Sequence, residues 1–227
     1  MFLTPTTVTT MNIIPNSADS ASATVVPSTI IIFLPGVTAQ HQEDVSNSFE
    51  LAARAATKQV SGTNYTRWFR VFQTVLRNIH WFTLQAESER TIRDPVLDII
   101  PVDDSERHLA SEALRALQNP EHEDALRLFC DQHPTSRAAR EDIRQLFFGG
   151  GGRYTRPAKF QLALCSEVDG DVSVSSFFLR LHNRGPAGAT IGFHKYGLNT
   201  RLFERLRSGL KKKLEDSGES KQVRIEY

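Results

Sequence analysis

Between Phe193 and Lys213 the chain carries seven cations, Lys195, Arg201, Arg205, Arg207, Lys211, Lys212 and Lys213, against the single anion Glu204. On a helical wheel Leu202, Phe203, Leu206, Leu210 and Leu214 gather on one side, and the cations take the rest. A stripe of this density could track a phosphate backbone, with affinity that falls steeply as salt rises. It could also lie on an anionic membrane surface. That reading ranks lower, because Phe203 is the sole aromatic on the apolar side and no Trp accompanies it. The plain structural account is a helix docked by its leucines, with lysines in the last turn satisfying the helix dipole.

Other residues could join the same chemistry. Arg180, His182, Arg184, His194 and Tyr196 place cations and stackable rings just upstream, around the loop Gly185-Pro186-Ala187-Gly188. Basic residues interleaved with aromatics suit single-stranded or structured nucleic acid. Gly149 to Gly152 could expose backbone N–H groups as an anion-binding nest, with Arg153 and Arg156 adding charge. A phosphate loop, however, needs its glycines at the start of a helix and a Lys-Ser/Thr pair behind them. Here the glycines end a helical pattern and precede Arg-Tyr-Thr-Arg-Pro, so they read as a helix stop and linker.

Two places invite an enzyme reading. Phe33-Leu34-Pro35-Gly36 closes a buried strand ahead of a helix, which resembles the opening of many α/β enzymes, α/β-hydrolases among them. No Gly-x-Ser-x-Gly elbow follows; Val-Ser-Val-Ser-Ser lacks the glycines. Asp98, Asp103 and Asp104 could gather a Mg²⁺ at a strand end, but Asp103 and Asp104 already make sense as helix caps. His108 with Glu112, and His122 among Glu121, Glu123 and Asp124, lack a third ligand at zinc spacing. No cofactor, metal site or catalytic residue is implied.

The elements that position these residues follow from periodicity. Thr29–Leu34 is a β-branched run that reads as a strand buried on both faces. Helices are expected over 40–58 and from Asn64, where Trp68, Phe72, Val75, Leu76 and Ile79 form a stripe and Arg67, Arg70 and Arg77 lie off it. Asn64-Tyr65-Thr66 matches a glycosylation sequon, with nothing else pointing to secretion. Strands are expected at Trp81–Leu84 and Val96–Val102. Three helices follow, capped at Asp103, Asn119 and Thr135 or Ser136, the second with Pro120 and an acidic first turn. Beyond the glycines the period becomes two: 160–165 and 172–181 pair through an Asp169-Gly170 turn, 189–194 adds a strand, 198–215 is a helix, and 222–227 ends the chain as a strand.

Charge divides unevenly along this order. Residues 1–148 hold 13 Lys and Arg against 18 Asp and Glu, and residues 149–227 hold 14 against 8. Such asymmetry points to a partner surface. The expected fold is a mixed α/β or α+β sheet with packed helices. Its parts are a flexible arm at 1–28, in which Ile13-Ile14 and Val25-Val26 could still pair with a sheet edge, an acidic helix-rich part at 29–148, a linker at 149–159 and a basic part at 160–227, the last packing with 29–148 or apart from it. Two cysteines are too few for a disulfide framework. No Lys or Arg precedes Arg54, which fits poorly with a leader peptide, and no apolar run is long enough to span a bilayer. The expectation is a soluble, cytoplasmic binding protein that uses Arg153, Arg156, Arg180, Arg184, Lys195, Arg201, Arg205, Arg207, Lys211 and Lys212 on nucleic acid. The alternatives are a hydrolase-like enzyme at Pro35-Gly36 or Asp98–Asp104, and an electrostatic module that associates with itself, as a homo-oligomer, or with another protein.

Overall fold

The computed structural model describes residues 21–60, 64–92, 94–130, 133, 135–149, 157–182, 189–216, 222–225 and 227. Among these residues seven strands form one mixed sheet: β1 (Ser22–Val26), β2 (Thr29–Phe33), β3 (Trp81–Ile92), β4 (Lys159–Val168), β5 (Asp171–Leu181), β6 (Ala189–Leu198) and β7 (Val223–Ile225). Their spatial order is β3-β6-β5-β4-β2-β1-β7. Among these described strands only β2 and β4 run parallel, and every other pair is antiparallel. Strands from both sides of the glycine run therefore share one sheet.

Alternation along the strands feeds two apolar clusters, one on each face. Ile31, Phe33, Ala163, Cys165, Val174 and Phe178 meet α1 (Ala39–Gln59), α2 (Tyr65–Asn78) and α7 (Thr200–Asp216). Ile30, Ile32, Leu162, Leu164, Phe177 and Leu179 meet α3 (Val96–Ile99), α4 (Asp104–Ala116), α5 (Glu123–Phe129) and α6 (Ser136–Phe148). All five residues of β2 are buried, as a strand covered on both faces requires.

The punctuation is local chemistry. Asn64, Asp103 and Thr135 each accept a hydrogen bond from the N–H three residues on, so all three act as N-caps. The cap at Asn64 accounts for the sequon residue structurally. Gly149 ends α6 at φ +82°, and a Cβ there would meet Pro95 Cγ at 2.9 Å, so this first glycine is required twice over. Asp169 and Gly170 both take positive φ between the paired residues Val168 and Asp171, the two-residue hairpin expected of Asp-Gly.

Three expectations need correction. Val96–Val102 is not a strand: its first four residues form α3, entered through Pro95. Val96, Leu97 and Ile100 bury against the helices of that face, and a short apolar run does not distinguish a buried turn of helix from a strand. The helix expected from Pro120 opens as a 3-10 turn over Pro120–His122 before α5 begins. Residues 22–26 are no arm but β1, held between β2 and β7. Pro27 and Ser28, the latter at φ +61°, turn the chain tightly into β2. The rest of the expected arm, 1–20, lies outside the described residues.

Candidate functional site

Asn199 starts α7, its side chain accepting from Leu202 N–H at 3.1 Å and its carbonyl from Phe203 N–H at 2.9 Å. Its own N–H donates to the His80 carbonyl, which ties the start of α7 to the end of α2. Phe203, Leu210 and Leu214 anchor the helix in the core, so its cations face α1 or solvent.

Two of the expected contact residues turn toward α1. Arg207 grips Asp44 of α1 with two bonds of 2.8 Å each, and Asp44 is 1% exposed. That fork pushes the Arg207 pKa further up, chiefly through the hydrogen bonds to Asp44. Lys211 reaches Glu43 at 2.9 Å, which raises its pKa in the same way. These two charges hold α7 against α1.

Arg201, Arg205 and Lys212 stay on the outward side, exposed and without an ion pair among the described residues. Their spacing aligns them along one stripe, with Lys213 exposed at its margin. The other expected contacts do not join them. Arg180 on β5 is engaged by Glu89 at 2.8 Å and by the hydroxyls of Thr66 and Thr190. Lys195 on β6 lies on the opposite face of the sheet, where its charge acts on Glu106 of α4. Burial raises the Glu106 pKa first, Asp103 raises it further, and Lys195 opposes both. Arg153, Arg156 and Arg184 lie outside the described residues.

Sequence reasoning missed the arginines of α2 as partners of α7. Arg67, Arg70 and Arg77 are exposed in the same helical layer. Their signal was visible, since all three fall off the apolar stripe, but they sit in the part of the chain that is acidic on average. Together α1, α2 and α7 carry eleven Lys and Arg against six Asp and Glu, a net of +5. The opposite layer, α3 to α6 with its 3-10 turn, carries six against nine, a net of −3. Charge thus separates across the sheet.

Both places of the enzyme reading are built, with different content. At Pro35-Gly36, Thr38 caps α1 and its N–H donates to Glu167 of β4 at 2.9 Å, while His41 Nδ1 lies 2.8 Å from the same carboxylate. Burial opposes ionisation of Glu167, but Thr38 and His41 outweigh it and hold the carboxyl below its ordinary range. The nearby Cys165 is buried, and burial pushes its thiol pKa strongly up, which disfavours the thiolate. Beside Asp98 and Asp104 lies a groove of about 330 Å³, walled by Pro95, Leu97, Phe147 and Phe148. Arg107 closes one side, bonded to Asp104 and to the carbonyls of Leu97 and Val102. Among the described residues no group of three or more His, Cys, Asp or Glu could hold a metal ion. No helix among them is long and apolar enough to cross a membrane. No family model, curated protein or solved structure matches this chain.

Proposed function

We propose that this chain is a binding protein that contacts nucleic acid through the outward side of α7, with α2 extending the surface. The observation that carries the reading is the row of Arg201, Arg205 and Lys212, exposed and without a carboxylate partner among the described residues, on a helix whose other face is locked in the core. Arg207 and Lys211 become the clamps that present this row. Exposed, unpaired cations at helical spacing suit a repeating phosphate charge. A membrane surface fits less well, because Phe203, Leu210 and Leu214 are committed to the core and leave Leu202 as the exposed leucine of the apolar side, too little to insert. The reading goes with a soluble protein of the cytoplasm, in keeping with two buried cysteines that form no disulfide.

A salt-titrated anisotropy assay with short single- and double-stranded oligonucleotides tests it. Binding is expected at low salt, and R201A/R205A/K212A should weaken it at least about tenfold and flatten the salt slope by about three. Absence of binding at low salt, or binding indifferent to the triple substitution, overturns the reading. So does capture by anionic vesicles with no binding to either oligonucleotide.

A further inference from the structure

From Asp94 to Glu106 the chain carries five carboxylates, Asp94, Asp98, Asp103, Asp104 and Glu106, and no Lys or Arg. This segment is the acidic counterpart of α7. Val96, Leu97 and Ile100 root it in the cluster on one face of the sheet, while Phe203, Leu210 and Leu214 root α7 in the other. Seven strands stand between the two segments, so they cannot meet within one molecule. Only a second molecule can bring them together.

The acidic segment also has a shape. In the groove beside it, Pro95 and Phe148 offer an apolar wall over the buried Leu97 and Phe147, and the exposed Asp98 and Asp104 share the lining with Arg107 and His108. Such a site takes a long cation, its stem on the wall and its head between the carboxylates. Arg115 already lies over the Phe148 ring, 5.4 Å from its centroid, so the wall accepts a guanidinium. Arg107 binds Asp104, whereas Asp98 has no ion pair among the described residues. On α7, Arg201 and Arg205 stand one helical turn apart and project outward.

We infer that a second copy of this chain docks its α7 stripe over the Asp98–Asp104 groove. The contact is head-to-tail, since different surfaces of the two copies meet, and repetition builds a closed ring or an open array according to the rotation between copies. It shares the α7 surface with the proposed nucleic-acid contact, so an oligonucleotide and a second copy compete.

Sedimentation velocity on the full chain tests this with two charge reversals. The wild type should form larger species at low ionic strength and return to monomer at high salt. R201E/R205E/K212E makes both surfaces acidic, and D98K/D104K makes both basic. Each alone should raise the midpoint concentration of assembly at least about tenfold. An equimolar mixture of the two should assemble again, because each surface then meets its opposite, and that recovery also shows both variants to be folded. Wild type that stays monomeric at low salt, or a mixture that fails to reassemble, overturns the inference. The acidic-side variant separates the two readings. D98K/D104K should lose assembly while keeping oligonucleotide binding, whereas an oligonucleotide-blind wild type that still assembles would sink only the nucleic-acid proposal.

Discussion

The two helical layers differ in how they are held as well as in their charge. The layer of α1, α2 and α7 is packed through rings: Phe72 meets Phe49 and Trp68 at 5.4 Å each and Phe69 at 6.1 Å, and Trp68 and Phe69 both stack on Phe178 of the sheet. The layer of α3 to α6 relies more on aliphatic side chains such as Leu114, Leu126, Ile143 and Leu146. The difference shows how one fold can carry opposite charges on its two sides. The basic layer gains rigidity from large rings and from the Arg207–Asp44 clamp, which leaves its outer cations free of structural duty. In the acidic layer many charges are spent at home, as in Arg140–Glu123, Arg144–Glu141 and Arg107–Asp104.

That contrast breaks first at the rings. Phe72→Ala should cost about 3–5 kcal/mol in urea unfolding, and Leu114→Ala in the other layer about 3 kcal/mol. A larger loss at Leu114 would mean that the aliphatic layer anchors the sheet. Asp44→Ala comes next, at about 2–3 kcal/mol, because it strands the Arg207 guanidinium against α1. Its effect should shrink in Asp44→Ala/Arg207→Met, where the charge is gone and the stem remains, a double-mutant cycle that isolates the pair.

The elements of both layers were largely legible, because they rest on local chemistry. The caps at Asn64, Asp103 and Thr135, the Asp169-Gly170 turn and the stop at Gly149 are each written in one to four residues. What stayed hidden depends on partners distant in the chain. The strand Ser22–Val26 looks weak alone and forms because β2 and β7 flank it. Val96–Ile99 is helical because α4 and α6 cover it. The site suffered the same limit. On the helical wheel Arg207 flanks the apolar side and Arg205 lies nearly opposite it, but only the approach of Asp44, 163 residues away, turns Arg207 into a clamp. Charge counted along the chain likewise set α2 apart from α7, although the fold places them in one layer.

A smaller effect sharpens the comparison through pH, since one carboxylate from each side is shifted in opposite directions. Glu167, on the α1 side, is held below its ordinary range, so its contribution is present above the unfolded-state pKa and is lost as pH falls through the folded-state value. Glu167→Gln should therefore destabilise at pH 7, by about 1 kcal/mol or less, with the difference closing in acid. Glu106, on the α3–α6 side, is raised by burial and by Asp103, so the folded state loses stability as pH rises through its titration. Glu106→Gln should be neutral in acid and a few tenths of a kcal/mol stabilising at pH 7. Unfolding curves at pH 4 and pH 7 check both signs, and equal slopes for the two variants would contradict them.

The smallest expected effect on stability is the most telling for the surface. Arg201, Arg205 and Lys212 share a helix with Arg207 and Lys211, yet they make no ion pair among the described residues and support no packed ring. Replacing all three with alanine removes outward charge, leaves the clamp and the Phe203–Leu214 anchor in place, and introduces a strong helix former at three positions. The unfolding free energy should move by no more than about 0.5 kcal/mol. Removing like charges from one stripe could even raise it slightly, most visibly at low salt, where their mutual repulsion is least screened. A loss of 2 kcal/mol or more, on the order of the Asp44 clamp, would show that these cations hold the fold together. The outward and inward sides of α7 would then do the same work, and the row could no longer be read as a surface kept free for a partner.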